Sequence, residues 1–449
     1  MKQVSFLCLF ALAGCVTVGP DYQAPELELA AEHRADLENL PGLFGAEEGD
    51  AIALSQWWTA FQDPVLTGLV ERTVVENFDL RQAIARVVEA EARLGVDRAA
   101  AGPRAGVNGS YTRSGISENT QFGLFPGQDR ESDSHRVTLD ASWEIDLWGK
   151  ARRSIEAAEA ELAAGVEGIW AVRVSLAGQV ADAYLRLREL ELRMQIAQGT
   201  VEVLLRGVET AQARFDAGLV QELDLLRART DLESARAILP ELEQAKQSVL
   251  TELCLLTSVE PGQLDALLAE PGDGPVLVPT PDGRLGQHVP MDLLRRRPDV
   301  RVAERQLAAQ TARVGMATAE LYPSFSLTGS IGFQAERSDN LFKEGSFIHN
   351  YGPSFSLPLF SGGGLRANIK GEDARVDQAL LNYEKLVLTA LHEVDSAATG
   401  ISLGARRLEA LESAVAQAKL TLDRSGILYR EGLANIDAVL DSRRALFQL

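Results

Sequence analysis

The sequence predicts an internally duplicated α+β membrane protein in which each chain supplies four barrel-type strands and long coiled-coil-like helices. Three observations predict it. Four segments of about ten residues alternate between apolar and polar side chains, as barrel strands do. Two alanine-rich stretches carry a helical apolar stripe. The two halves of the chain also align with one another.

The N-terminus reads first as an export signal. Lys2 precedes an apolar run from Val4 to Ala13, shorter than the roughly 20 residues that a membrane-spanning helix needs. Leu12-Ala13-Gly14 then leads directly to Cys15, the layout of a bacterial lipobox. Residues 1–14 are therefore expected to be a cleaved signal peptide, with Cys15 lipidated and residues 15–56 forming a lipidated N-terminal segment. Of the other cysteines, Cys8 lies in the signal, and Cys254 in "ELCLLT" reads as a small buried apolar residue.

The formal net charge of -20 argues against a nucleic-acid partner. No later stretch has the length of a transmembrane helix, so any crossing of a membrane must use strands.

The duplication is explicit. "DLRQAIARVVEAEARLGVDRAAAGP" (79–103) aligns without a gap with "DVRVAERQLAAQTARVGMATAELYP" (299–323) at an offset of 220. A second pair, "RFDAGLVQELDLLRAR" (214–229) and "LYREGLANIDAVLDSR" (428–443), aligns at an offset of 214. The repeats are expected at 57–269 and 291–449, with the Pro/Gly-rich segment 270–290 as connector.

Each repeat reads as helix, two strands, long helix, turn and helix. From about Ala151, apolar residues recur every three or four positions, including Leu162, Val166, Leu176, Val180, Leu187 and Met194. A helix continuing to Phe215 would have some 65 residues and extend roughly 100 Å. The second repeat predicts the same from about Leu365 to Leu428. "LWGKAR" (147–152) and "SGGGLR" (361–366) read as the turns from strand into long helix.

The strands are expected near 105–113, 136–147, 324–334 and 351–360. In 136–147, Val137, Leu139, Ala141, Trp143, Ile145 and Leu147 share one face, opposite Arg136, Thr138, Asp140, Ser142, Glu144 and Asp146. A soluble sheet with one wet face gives the same alternation in any single strand. Four strands cannot close a barrel, because the smallest have about eight. An open edge is not tolerated in lipid, so a membrane barrel would have to be shared among copies.

No catalytic, metal or cofactor constellation emerges. "HEVDS" (392–396) lacks the second histidine of a zinc helix, and the glycines of "SGGGLR" lack the lysine of a phosphate loop. Gly218 and Gly432, in the turns that end the long helices, suit left-handed caps.

With these residues in view, the chain resembles the TolC-like outer-membrane factors, in the lipoprotein (OprM/NodT-type) branch that serves resistance–nodulation–division efflux pumps. The matching motifs are "CVTVGPDYQAP" (15–25), "WWTAFQDPVLTGLV" (57–70) and "LLRRRPDVRVAERQLAAQTARVGMATAELYPSFSLTGSIGF" (293–333). The resemblance implies a trimer whose twelve strands form one β-barrel, continued by a periplasmic α-barrel. It implies an outer-membrane, lipid-anchored efflux duct for small molecules, working with a periplasmic adaptor and an inner-membrane transporter, and no enzyme activity. A periplasmic structural lipoprotein without a pore is the alternative that the strands alone leave open.

The resemblance also assigns the tips, near 214–224 and 429–437, to a periplasmic gate that meets the adaptor. Asp224 matches an aspartate of the first tip, and Tyr429, Gly432 and Asp441 match residues near the second. Asp441 would be one of two carboxylates forming an acidic ring. The other ring position falls on Ala438, with Asp437 beside it, and the gate's basic residue falls on Ala434. Asp224 and Asp437 equally suit a first helical turn, where the helix dipole favours a carboxylate. The repeat and the resemblance both lead one to expect roughly twenty further residues in the last helix beyond Leu449.

Overall fold

A computed structural model describes residues 17–25, 44–46, 54–117, 130–269, 277–281, 285–286, 296–434 and 436–448. The signal segment, Cys15 and most of the connector fall outside them. The chain divides into two compact units: Met1–Leu27, Ala83–Ile169 and Arg296–Leu386 form one, and Glu28–Gln82, Trp170–Arg295 and Val387–Leu449 the other.

The elements follow the duplicated order. In the first repeat come α1 (Pro64–Glu76), α2 (Phe78–Ala100), β1 (Arg104–Gly115), β2 (Glu131–Ile145), α3 (Lys150–Asp216), α4 (Glu222–Thr257) and α5 (Pro261–Leu268). In the second come α6 (Pro298–Ala319), β3 (Ser324–Ala335), β4 (Phe347–Ser356), α7 (Gly364–Arg430) and α8 (Ile436–Gln448). α3 and α7 are each 67 residues long, about 100 Å at 1.5 Å per residue. α3 runs unbroken through Gly165, Gly168 and Gly178. α8 has 13 residues where its counterpart α4 has 36.

In the first unit the four strands form one antiparallel sheet in the order β1-β2-β3-β4. Directly paired residues share a face, so the register tests the alternation. Val107 pairs with Leu139, Leu139 with Ile331 and Ile331 with His349; Ile145 pairs with Phe325, and Phe325 with Phe355. The polar residues pair in the same way: Asn108 with Thr138, Asp140 with Ser330, Ser330 with Asn350. One face is thus apolar across four strands apart from His349. It is bare in the single chain, with Val107 72% and Phe355 73% exposed.

Two strands differ from the expectation at their ends. β4 spans Phe347–Ser356 instead of 351–360. Phe347 pairs with Phe333 and starts the strand early. Leu357 is followed by Pro358, which has no ladder donor, and the strand stops there. β2 begins at Glu131, five residues before the apolar alternation, because its polar start pairs with the end of β1 and Arg113 forms an ion pair with Glu131.

The same unit explains the motif at 15–25. Residues 17–22 lie as a strap on the turn from β2 into α3. Val18 donates its N–H to Trp148 O at 3.1 Å. The Arg153 side chain, 3% exposed, donates to Val18 O, to Gly19 O and to Asp21 Oδ1, the last at 2.7 Å. Gly19, at φ +90°, lies against the backbone of α6: a Cβ there would come within 2.4 Å of Gly315 Cα. Only two glycines can approach so closely.

In the second unit, Asp63 of the motif at 57–70 caps α1, its Oδ1 accepting from Val65 N and Leu66 N. Its Oδ2 accepts from the fully buried Tyr184 hydroxyl at 2.7 Å, and Arg188 Nε donates to the same hydroxyl at 3.0 Å. Burial, with the hydrogen bond to Asp63, holds the Tyr184 pKa well above that of a free tyrosine. Asn77 donates to Leu256 O at 2.8 Å and ties α1 and α2 to α4. Cys254 is buried, as expected of an apolar cysteine.

Candidate functional site

The two hairpin tips lie in the second unit and are built alike. At the end of α3, Leu219 N donates to Arg214 O at 2.9 Å and Gly218 N to Phe215 O at 2.8 Å. At the end of α7, Leu433 N donates to Leu428 O at 2.9 Å and Gly432 N to Tyr429 O at 3.2 Å. Both are Schellman caps, and the glycines take φ of +71° and +70°. Leu219 and Leu433, the residues after them, are 74% and 75% exposed, so each tip offers water an apolar side chain.

The remaining residues expected at the site fall into place around these caps. The Arg214 guanidinium stands over the Tyr429 ring at 4.4 Å, joining the last turns of α3 and α7 by a cation–π contact. Arg227 of α4 donates to Asp437 of α8 at 2.5 Å. Arg444 donates to Asp441 at 3.3 Å and also to Asp231 of α4 at 3.1 Å. Asp224 stands in the first turn of α4 with no ion pair among the described residues. The structure thus brings Tyr429, Asp437 and Asp441 to arginines of their own chain and leaves Asp224 apart.

Three arginines that contact the expected residues are not expected from the sequence: Arg214, Arg227 and Arg444. Asp437 takes its basic partner, Arg227, from the other hairpin. A usable signal was the charge spacing, Asp224, Arg227 and Asp231 against Asp437, Asp441 and Arg444, at three- and four-residue steps on both helices. Of the two arginines that closely follow Asp441, Arg444 reaches it and Arg443 does not. Arg443 is half-buried beside Gly207, and burial holds its pKa below that of a free arginine.

The second functional surface is the polar face of the sheet. Asp140 accepts from Asn108 Nδ2 at 2.7 Å and from Thr138 Oγ1 at 3.0 Å, and Ser326 and Ser354 share a hydrogen bond of 2.8 Å. Polar side chains bonded to one another across a sheet face are what a water-filled lumen requires. Among the described residues no cluster of His, Cys, Asp or Glu could hold a metal ion, and no helix is long and apolar enough to cross a membrane.

Comparison with known proteins agrees with this geometry. The family model for outer membrane efflux proteins matches residues 69–258 and 289–449, one segment in each repeat. The chain is 30% identical over 435 residues to nodulation protein T of Rhizobium leguminosarum bv. trifolii, covering 97% of this chain and 89% of that protein. It is 29% identical over 449 residues to a probable outer membrane lipoprotein, SilC, of Salmonella typhimurium, covering 100% and 93%. Among solved structures, the outer-membrane channel OprN superposes with a TM-score of 0.84 at 32% identity, over 96% of this chain and 93% of that one. Both repeats match, and the sheet and long helices superpose on a known channel. The chain belongs to the outer membrane efflux protein family: it is a TolC-like outer-membrane efflux duct.

Proposed function

We propose that three copies pair their sheet edges into a twelve-stranded barrel and export small molecules received from a periplasmic adaptor and an inner-membrane resistance–nodulation–division transporter. One observation carries this reading: a four-stranded sheet with one apolar and one polar face and an unpaired strand at each edge. Such edges are stable in lipid only when another copy closes them. The tips, with Gly218, Asp224, Tyr429, Gly432, Asp437 and Asp441, form the periplasmic gate and adaptor contact. Cys15 carries lipid. Because the strap fixes the chain from Thr17 onward, two residues of backbone, at most about 7 Å, separate the anchor from the sheet–helix turn.

The test is fractionation of the full chain followed by native mass determination. The reading expects trimers in the outer membrane that resist alkaline extraction. Alkali-soluble monomers would point to a structural lipoprotein without a pore.

A further inference from the structure

We infer that the lumen wall of the barrel is charge-balanced, with Arg104 and Arg136 offsetting Asp140 and Glu144, so that the barrel passes anionic, cationic and zwitterionic solutes without sorting them by sign. The inference rests on the three-copy reading above and adds to it how the wall treats its cargo.

The evidence is the distribution of charge between the two faces of the sheet. Residues two apart along a strand share a face, so the registers assign each strand residue to one side. The polar side holds four charged residues: Arg104 of β1, and Arg136, Asp140 and Glu144 of β2. β3 and β4 carry no Asp, Glu, Lys or Arg. Their polar side presents small neutral groups such as Ser326, Thr328, Ser330, Asn350 and Ser354. The remaining charged residues of the four strands, Arg113, Glu131 and Asp133, stand on the opposite side, where Arg113 pairs with both carboxylates. The polar face is thus neutral in a chain of net charge -20.

The signs also alternate along the wall. Arg104 pairs with Ser142, midway between Asp140 and Glu144. Along β2 the order is therefore Arg136, Asp140, Arg104 and Glu144: positive, negative, positive, negative. The steps are about 14, 7 and 7 Å at 3.4 Å per residue. Two of the three are shorter than the Debye length of about 8 Å at physiological salt, so these opposite charges cancel one another before their field reaches far into the lumen. A wall of one sign would instead concentrate counter-ions and repel co-ions.

The four charges stay separate. Among the described residues none of them forms an ion pair. Asp140 is held by neutral donors, Asn108 Nδ2 at 2.7 Å and Thr138 Oγ1 at 3.0 Å, and does not collapse onto Arg104. Closing the barrel brings no counter-charge either. The strand that meets β1 across the seam is β4 of the next copy, which has none to offer. Around the wall, three balanced stripes from β1 and β2 thus alternate with three neutral stripes from β3 and β4.

The test measures the potential inside the barrel directly, without passing through the tips. Purified full-chain trimers with Cys254→Ala as parent receive Ser354→Cys on the neutral stripe. The rates of its modification by a cationic and an anionic methanethiosulfonate reagent are compared with those of a small free thiol. The ratio of the two rates should match the free-thiol ratio within about two-fold. Arg104→Gln should raise the cation-to-anion ratio about five-fold, and Arg104→Lys should leave it unchanged. Arg113→Gln, the same loss of charge on the other face of β1, should also leave it unchanged. A parent ratio about five-fold or more from that of the free thiol, or no response to Arg104→Gln, in trimers of native mass, would overturn the proposal and leave the duct reading standing. If the parent forms no trimer, both fail. Should Arg104→Gln not assemble, Asp140→Asn decides, because it should shift the ratio in the opposite direction.

Discussion

Arg227 of the first hairpin donates to Asp437 of the second at 2.5 Å, so each hairpin tip contributes one charge to a single cross-hairpin bond. With the side chains 41% and 44% exposed, the pair is worth about 0.2–1 kcal/mol and is weakened by salt. The Arg214–Tyr429 and Arg444–Asp231 contacts join the same two hairpins.

The first prediction follows from this. Arg227→Ala should raise the resting conductance of the reconstituted channel several-fold. The exchange Arg227→Asp with Asp437→Arg should return it toward the starting value. No recovery in the exchange variant would mean that the pair is incidental.

Asp441 gives a second test. Three copies of this carboxylate around one axis would concentrate cations, with Arg444 of each chain offsetting part of the charge. Asp441→Ala should reduce both cation preference and block by multivalent cations, measured as reversal potential and residual current. Glu202→Ala, far from the tip on α3, should change neither. Unchanged selectivity in Asp441→Ala would make Asp441 a surface helix charge.

The sheet faces give a third. Leu139→Arg or Phe355→Arg places a charge in lipid, at a cost of about 2–4 kcal/mol near the midplane. Ser142→Arg and Ser354→Arg face the lumen and should assemble at wild-type yield. Comparable losses on the two faces, in yield of heat-modifiable trimer, would contradict the assignment.

A fourth concerns Tyr184. Removing its hydroxyl deletes the buried hydrogen bonds that it gives to Asp63 and takes from Arg188, so Tyr184→Phe should cost about 1–3 kcal/mol in denaturant unfolding. The sign of the pH effect follows from the raised pKa. Stability from this group is fully present below the ordinary tyrosine value of about 10 and falls as pH rises above it. Tyr184→Phe should therefore lose stability less steeply than wild type above that pH.

Much of the fold was legible because its signals are periodic. Period-two alternation located all four strands, and the stripe from Leu162 to Met194 predicted a helix that its three glycines do not interrupt. The strand ends were less legible, since Leu357 and Leu359 continue the alternation past the point where Pro358 removes a donor. The start of β2 at Glu131 was hidden because its strand character comes from its partner β1 and not from its own polar residues. At the tips, Gly218 and Gly432 could be read locally, since a left-handed cap depends on a few adjacent residues. Arg227 could not be paired with Asp437, 210 positions away, without the packing of α4 on α8. The strap lies in the motif at 15–25, but its basis, two glycine backbones in contact at Gly19 and Gly315, has no local signature at all.

The most direct measurement of the central claim is single-channel recording of purified trimers in a planar bilayer, wild type beside Arg227→Ala. The account predicts cation-preferring channels of low resting conductance in the wild type and markedly larger ones in the variant. Silence from both, with trimers demonstrably inserted, would contradict it.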